Sequence, residues 1–237
     1  MGFYEEKLYP MTVRVAQAEA ELPHLKELVA GTLPLEKFKF QAKQNYNYLL
    51  EYTKALAVGL AKCQDYQTIV LYLGFIREVV EYEVKFYREH WKEKLGLSLE
   101  ELDGTIMSSV KRSYTSHEQA RSWEGDLAEQ FTALLPCSFC YWELGKTLFK
   151  KCTLPKGNNY RDWIEFYTTG WYNDSCLQQI DLLNGMVKNK TTRELARIEE
   201  IYAIGCNYEY MSWSMYYNME TWPFPDIFPK KFRLIQE

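Results

Sequence analysis

Two groups of residues in this 237-residue chain have the types and spacing for chemistry. The first is a thiol. Cys137 directly follows Pro136 inside the apolar run 133–145, and Tyr141 stands four residues further on, on the same face of a helix. Proline cannot donate a backbone hydrogen bond, so the pattern predicts a helix that kinks or restarts at Pro136 and leaves free N–H groups beside Cys137. Such groups lower a thiol's pKa and favour the thiolate, its nucleophilic form. The same residues fit a second reading, a buried thiol in a kinked core helix, which is the commoner fate of a free cysteine. The second group is built on Glu209, which shares a helical face with Tyr202, Trp213 and Tyr216. A carboxylate among aromatic rings is either a general acid/base with a raised pKa or a structural acceptor for tyrosine hydroxyls, and both readings stay open. Asn45 and Tyr48, three residues apart, form a further polar face with Tyr52.

Other chemistries lack their context. Cys137 and Cys140 form a C-x-x-C, but no strand-helix alternation surrounds it and no second cysteine pair or nearby histidine completes a zinc site. His24, His90 and His117 are scattered, so any base for Cys137 is expected to be a carboxylate. No glycine-rich phosphate loop and no metal-ligand spacing occurs, and no cofactor is implied.

The elements that must carry these groups read as helices throughout. Residues 1–29 predict a helix with a break at Pro23, residues 35–63 a long helix opened by Pro34, and residues 69–95 a third that ends at Gly96. Ser98, Thr115 and Thr191 each precede a glutamate by three residues, which predicts three capping boxes, the second of them placing Tyr114 at a helix entrance. From Thr115 one helix is expected to run past Pro136 towards Phe149. Another follows the turn at 156–159, and a last one passes through Ile198, Tyr208 and Trp213. Prolines at 223, 225 and 229 exclude a helix near the C-terminus, so about 220–237 is expected to be extended and docked on the body or a neighbouring subunit. With no linker or repeat, residues 1–237 read as one all-α domain.

A 47% hydrophobic content supplies a core, and a net charge of -4 without a Lys/Arg block argues against a nucleic-acid partner. No apolar stretch spans a bilayer and no signal-peptide pattern opens the chain, so a cytoplasmic protein without a membrane partner is expected, its six cysteines mostly reduced. Nineteen tyrosines within a 16% aromatic share suggest an aromatic-lined pocket, or else a tyrosine-rich subunit interface.

Several blocks together resemble the TenA/THI-4 family, the thiaminase II or aminopyrimidine aminohydrolase group. They are Gly31-Thr32-Leu33-Pro34, Gln44-Asn45-Tyr46-Asn47-Tyr48-Leu49, Ser113-Tyr114-Thr115, the run 133–141, Asp162-Trp163-Ile164-Glu165-Phe166-Tyr167, and Tyr208-Glu209-Tyr210-Met211-Ser212-Trp213. The resemblance implies a helical bundle of the haem-oxygenase-like type without haem, commonly a homotetramer, acting on an aminopyrimidine derived from thiamin or on thiamin itself. In such enzymes a cysteine adds to the pyrimidine ring, the group on the exocyclic methylene leaves, and water completes the hydrolysis. Carried over by position, Cys137 is the nucleophile and Glu209 the acid/base. Tyr114, Tyr141 and Tyr167 are the hydrogen-bonding tyrosines, Tyr48 stacks on the pyrimidine, and Asn45 and Trp213 complete the substrate site.

Four departures stand out. Asn45 replaces the usual aspartate, Ser212 a usual phenylalanine, and Gly170-Trp171 a common glutamate-phenylalanine pair; Cys140 is also unusual. An asparagine can donate to a ring nitrogen and accept from an amine while leaving the ring neutral, whereas an aspartate shares a proton and makes the ring more electrophilic. Asn45 therefore opens a second reading, a pyrimidine-binding member with weak, absent or altered turnover. A DNA-binding regulator is disfavoured by the charge balance, and a cofactor-independent oxidase of the same superfamily by the lack of a basic pocket.

Overall fold

The computed structural model describes residues 2–150 and 152–228, and all their regular structure is helical. After a π-helical turn at Tyr4–Leu8 the chain forms α1 (Tyr9–Ala20), α2 (Pro23–Ala30), α3 (Leu35–Lys62) and α4 (Tyr66–Glu78). Two further π-helical segments, Val79–Val84 and Tyr87–Trp91, prolong α4 into the short α5 (Lys92–Leu95). There follow α6 (Leu99–Asp103), α7 (Ser109–Glu124), α8 (Leu127–Leu144) with a π-helical tail at Gly145–Phe149, α9 (Arg161–Phe166), α10 (Gly170–Val187) and α11 (Thr192–Asn218). Helix α8 is central, packed by α1, α3, α7, α10 and α11.

Two of the three expected capping boxes form. Ser98 and Thr191 each accept from the backbone N–H three residues on, while Glu101 and Glu194 reach back. The third does not. Helix α7 begins earlier because Ser108 caps it, accepting from Lys111 N–H, while Ser108 N–H donates to Gln44 Oε1 on α3 at 2.8 Å. Tyr114 therefore lies in mid-helix, one turn before Glu118. The single helix expected from Thr115 to Phe149 is two: Gly125 ends α7, and Asp126 caps α8 by accepting from Glu129 N–H.

Pro136 overturns the expected restart. It lies inside α8, which runs continuously from Leu127 to Leu144, so no fresh set of free N–H groups faces Cys137. An interior proline costs roughly 3 kcal/mol. The compensation is tertiary, because Ala133, Leu134, Leu135 and Phe139 around it are wholly buried. Gly205 of α11 lies against the proline ring, and a Cβ there would stand 2.6 Å from Pro136 Cγ. The bare backbone lets the two helices close, with Glu209 one turn beyond Gly205 on the same face.

After α11 the chain leaves helical geometry, makes a 3-10 turn at Pro225–Ile227, and is fastened by Trp222 Nε1 donating to Met107 O at 2.8 Å. The expected extended segment is thus docked over its first residues; positions 229–237 lie outside the described residues. Among the described residues no helix is long and apolar enough to cross a membrane.

The Pro136–Gly205 contact is testable. Gly205→Ala gains up to about 1 kcal/mol of helix propensity but drives a methyl into a rigid ring, an overpacking cost of roughly 1–3 kcal/mol. We expect a net loss near 1 kcal/mol in urea unfolding; unchanged or raised stability would show that the seam tolerates a side chain.

Candidate active site

Helical elements from along the chain converge on a cavity of about 270 Å³. Helix α3 contributes Asn45 and Tyr48, α7 contributes Lys111, α8 contributes Cys137 and Tyr141, and α11 contributes Glu209. Glu83 enters from the π-helical segment Val79–Val84, and Tyr167 from the C-terminal end of α9. The four-residue spacing of Cys137 and Tyr141 aims both from α8 into the space that Glu209 faces from α11.

The site is acidic and largely buried. Glu209 is 1% exposed, and neither of its oxygens has a hydrogen-bond partner among the described residues. Burial raises its pKa, while the ammonium of Lys111 and, more weakly, the Tyr114 hydroxyl favour the carboxylate. Two more carboxyls are buried behind it. Glu118 accepts from the Tyr48 hydroxyl at 2.6 Å, and Glu19 lies next to Glu209. Burial pushes both well above the usual carboxylate range, and the Glu209 charge adds to it. Lys111 is itself buried, its Nζ 4.1 Å from the centre of the Tyr48 ring. One cation cannot neutralise three carboxylates in a desolvated cluster, so Glu19 and Glu118 hold protons most tightly and Glu209 is left as the proton-exchanging member.

Cys137 departs from the sequence reading. Its thiol is pushed well up, first by burial and then by the charges of Glu209 and Glu83, with only the Tyr48 hydroxyl acting in the other direction. The resting group is the thiol, and it needs a base. No histidine borders the cavity; His24 is neutral, its pKa lowered to about 4 by burial, and lies behind Trp213 against Gln41. The carboxylates are the bases within reach of the site, as expected from the histidine pattern.

Asn45 is held by two tyrosines. Its Oδ1 accepts from Tyr216, and its Nδ2 donates to the Tyr87 hydroxyl at 3.3 Å, which also accepts from Trp163 Nε1 at 3.3 Å. The carboxamide keeps one N–H and one lone pair for a ligand.

Six of the eight residues singled out from sequence line this cavity: Asn45, Tyr48, Cys137, Tyr141, Tyr167 and Glu209. Tyr114 and Trp213 stand one layer back, Tyr114 beside Tyr48 and Glu209, and Trp213 against the Tyr141 ring at 5.3 Å. Cys140 is turned into the α8–α11 seam beside Cys206, both thiols reduced and buried. Ser212 turns inward to donate to Tyr208 O at 2.7 Å, whereas Trp171 borders a second cavity. Glu83, Lys111 and Tyr172 were missed. The signal for Lys111 was its three-residue spacing from Tyr114; Glu83 gave none, because a π-helical turn breaks the helical period that would have placed it.

A sequence model of the TENA/THI-4/PQQC family matches residues 20–219. An aminopyrimidine aminohydrolase of Bacillus subtilis is 32% identical over 84% of this chain and 84% of its own length. Another from Halalkalibacterium halodurans is 28% identical over 92% and 97%. Among solved structures, a TenA homologue from P. horikoshii superposes with a TM-score of 0.80 at 28% identity, covering 92% of this chain and 99% of its own.

Glu83 gives the site a pH signature. Burial and Glu78 raise its carboxyl from an ordinary 4.5 to about 8. The folded protein then keeps a proton that the unfolded chain has released, so the contribution of Glu83 to stability declines as pH rises from about 4.5 through about 8 and is level above. Removing the charge by Glu83→Gln is expected to raise the urea midpoint, relative to the unsubstituted protein, more at pH 8.5 than at pH 5.5. An equal difference at both pH values would mean that Glu83 titrates normally.

Proposed function

The chain belongs to the TENA/THI-4/PQQC family, and we propose that its central cavity hydrolyses the exocyclic C–N bond of an aminopyrimidine in thiamin salvage, with Cys137 as nucleophile and Glu209 as acid/base. The single observation that carries the reading is the meeting of an unpartnered Glu209 with Cys137 at the wall of an aromatic cavity, in a chain similar to aminopyrimidine aminohydrolases. The free N–H and lone pair of Asn45 complement an aminopyrimidine edge, whose ring nitrogen accepts and whose amine donates. Tyr48, Tyr141 and Tyr167 supply faces and hydroxyls around the ring.

The proton path follows from the electrostatics. Cys137 rests as a thiol, and Glu209, kept nearest to ionisation by Lys111, takes its proton as Sγ bonds to the ring carbon beside the one bearing the methylene. The electron-rich adduct expels the methylene's amine with the bonding pair, and Glu209 returns the proton to it. Water then adds to the exocyclic double bond, its hydroxyl to the methylene and its proton to Glu209. The ring regains aromaticity by expelling sulfur, which recovers that proton. The balance is pyrimidine–CH2–NH2 plus water giving pyrimidine–CH2–OH plus ammonia. No metal or cofactor takes part in this scheme.

A second reading keeps the pocket without turnover, and the observation favouring it is Asn45, a neutral group locked by Tyr87 and Tyr216 where a proton-sharing aspartate would activate the ring. Chromatographic product analysis with thiamin and with 4-amino-5-aminomethyl-2-methylpyrimidine separates the two. We expect hydroxymethylpyrimidine from the intact protein, at least a ~10³-fold loss in Cys137→Ser, and faster turnover in Asn45→Asp. Pyrimidine that raises the melting temperature without being consumed would replace the hydrolase with the binder; slower turnover in Asn45→Asp would overturn the role given to Asn45.

The assembly is also proposed to be a homotetramer acting in the cytoplasm. Supporting self-association, α4 carries Tyr66, Ile69, Val70 and Leu73 exposed at helical spacing, Tyr66 by 74%. Light scattering is expected to return four copies of the 28.2-kDa chain, and a monomer at micromolar concentration would remove that part of the proposal.

A further inference from the structure

A second cavity, about 490 Å³, adjoins the first and shares Glu83, Cys137 and Tyr172 with it. Its far wall is a polar chain: Ser175 Oγ donates to Glu78 Oε2 at 2.6 Å, and Gln179 Nε2 donates to Ser175 Oγ at 3.2 Å. Gln179 is only 7% exposed, yet its Oε1 has no partner among the described residues. Trp171, Tyr172 and Tyr52 line the cavity together with apolar side chains such as Phe75 and Phe131, and no Lys, Arg or His is among the lining residues. Acceptors therefore outnumber donors on a wall backed by π faces, the complement of a cation.

The pair of carboxylates is assembled by the backbone. Glu78 ends α4 and Glu83 lies in the π-helical segment that follows. Five residues apart on an α-helix they would point about 140° away from each other. The wider π turn, with its i→i+5 hydrogen bonds, brings them towards one face, so that both border the cavity and the Glu78 charge bears on Glu83.

We propose that this second cavity is the leaving-group subsite and that it takes an organic cation, a protonated amine or a quaternised heteroaromatic nitrogen, between Glu78 and Glu83 and against the rings of Trp171 and Tyr172. The inference rests on the hydrolase reading of the first cavity. There the methylene is one bond from the carbon that Cys137 attacks, so the departing group is put beside Cys137, and the second cavity is the space that continues from that point. A quaternary nitrogen departs without a proton, a neutral amine gains one from Glu209, and an amine bound as its ammonium departs as ammonia, which then takes the proton that water releases while Glu209 keeps the thiol's proton for the leaving sulfur; Glu78, and Glu83 once the cation has displaced its proton, hold the charge without joining that transfer.

Titration calorimetry on protein carrying Cys137→Ser, which cannot turn over, tests the subsite with two ligands of one ring: the aminomethylpyrimidine, cationic at neutral pH, and the neutral hydroxymethylpyrimidine. Glu78→Gln preserves an acceptor for Ser175 and removes only the charge. It is expected to weaken the aminomethyl ligand roughly tenfold, the scale of one partly buried charge contact, and to leave the hydroxymethyl ligand within twofold, which also reports an intact fold. If both ligands bind but Glu78→Gln affects them equally or not at all, the subsite is overturned and the pyrimidine pocket stands. If neither ligand binds before Glu78 is changed, the pocket reading and the subsite fall together.

Discussion

The seating of the Pro136 ring against the bare backbone of Gly205 sets how closely α8 and α11 approach, and the site inherits its dimensions from that approach. Cys137 follows the proline directly, Tyr141 is one turn on, and Glu209 is one turn past the glycine. A side chain at position 205 would separate thiol from carboxylate by the thickness of a methyl group. The proline's missing hydrogen bond is tolerated because the apolar residues around it gain more from burial than one helix bond is worth.

Desolvation then decides the chemistry. Three buried carboxyls share the one ammonium of Lys111, and the thiol of Cys137 stands among their charges. Glu118 is tied to Tyr48 and Glu19 is raised by the Glu209 charge, whereas Glu209 has the lysine as its strongest favourable neighbour. The thiol is stored protonated and inert rather than as a standing thiolate, which confines nucleophilicity to the moment when a bound ring can take up the charge.

The tyrosines divide into those that face the cavity and those that fix what faces it. Tyr48, Tyr141 and Tyr167 form walls, while Tyr87 and Tyr216 lock the Asn45 carboxamide in one orientation. Orientation matters because an amide presents different edges when turned over, and the two tyrosine hydroxyls determine which edge meets the ligand. The aromatic excess in the composition is therefore part pocket and part orienting frame.

By itself the sequence determined the helical class, the two capping boxes at Ser98 and Thr191, the long helix opened by Pro34 and six of the cavity-lining residues, because helical periodicity, short-range capping and a family pattern are local signals. It misplaced the start of α7, since Ser108 owes its capping role partly to Gln44, sixty-four residues away. It also expected free N–H groups beside Cys137 from a kink or restart at Pro136, since propensity cannot weigh the packing that carries a helix through a proline. Only the tertiary structure decided the ionisation of Cys137 and Glu209, because a pKa is set by burial and by neighbours from other helices rather than by adjacent residues. It alone found Glu83, whose place depends on a π turn that no α-helical period describes.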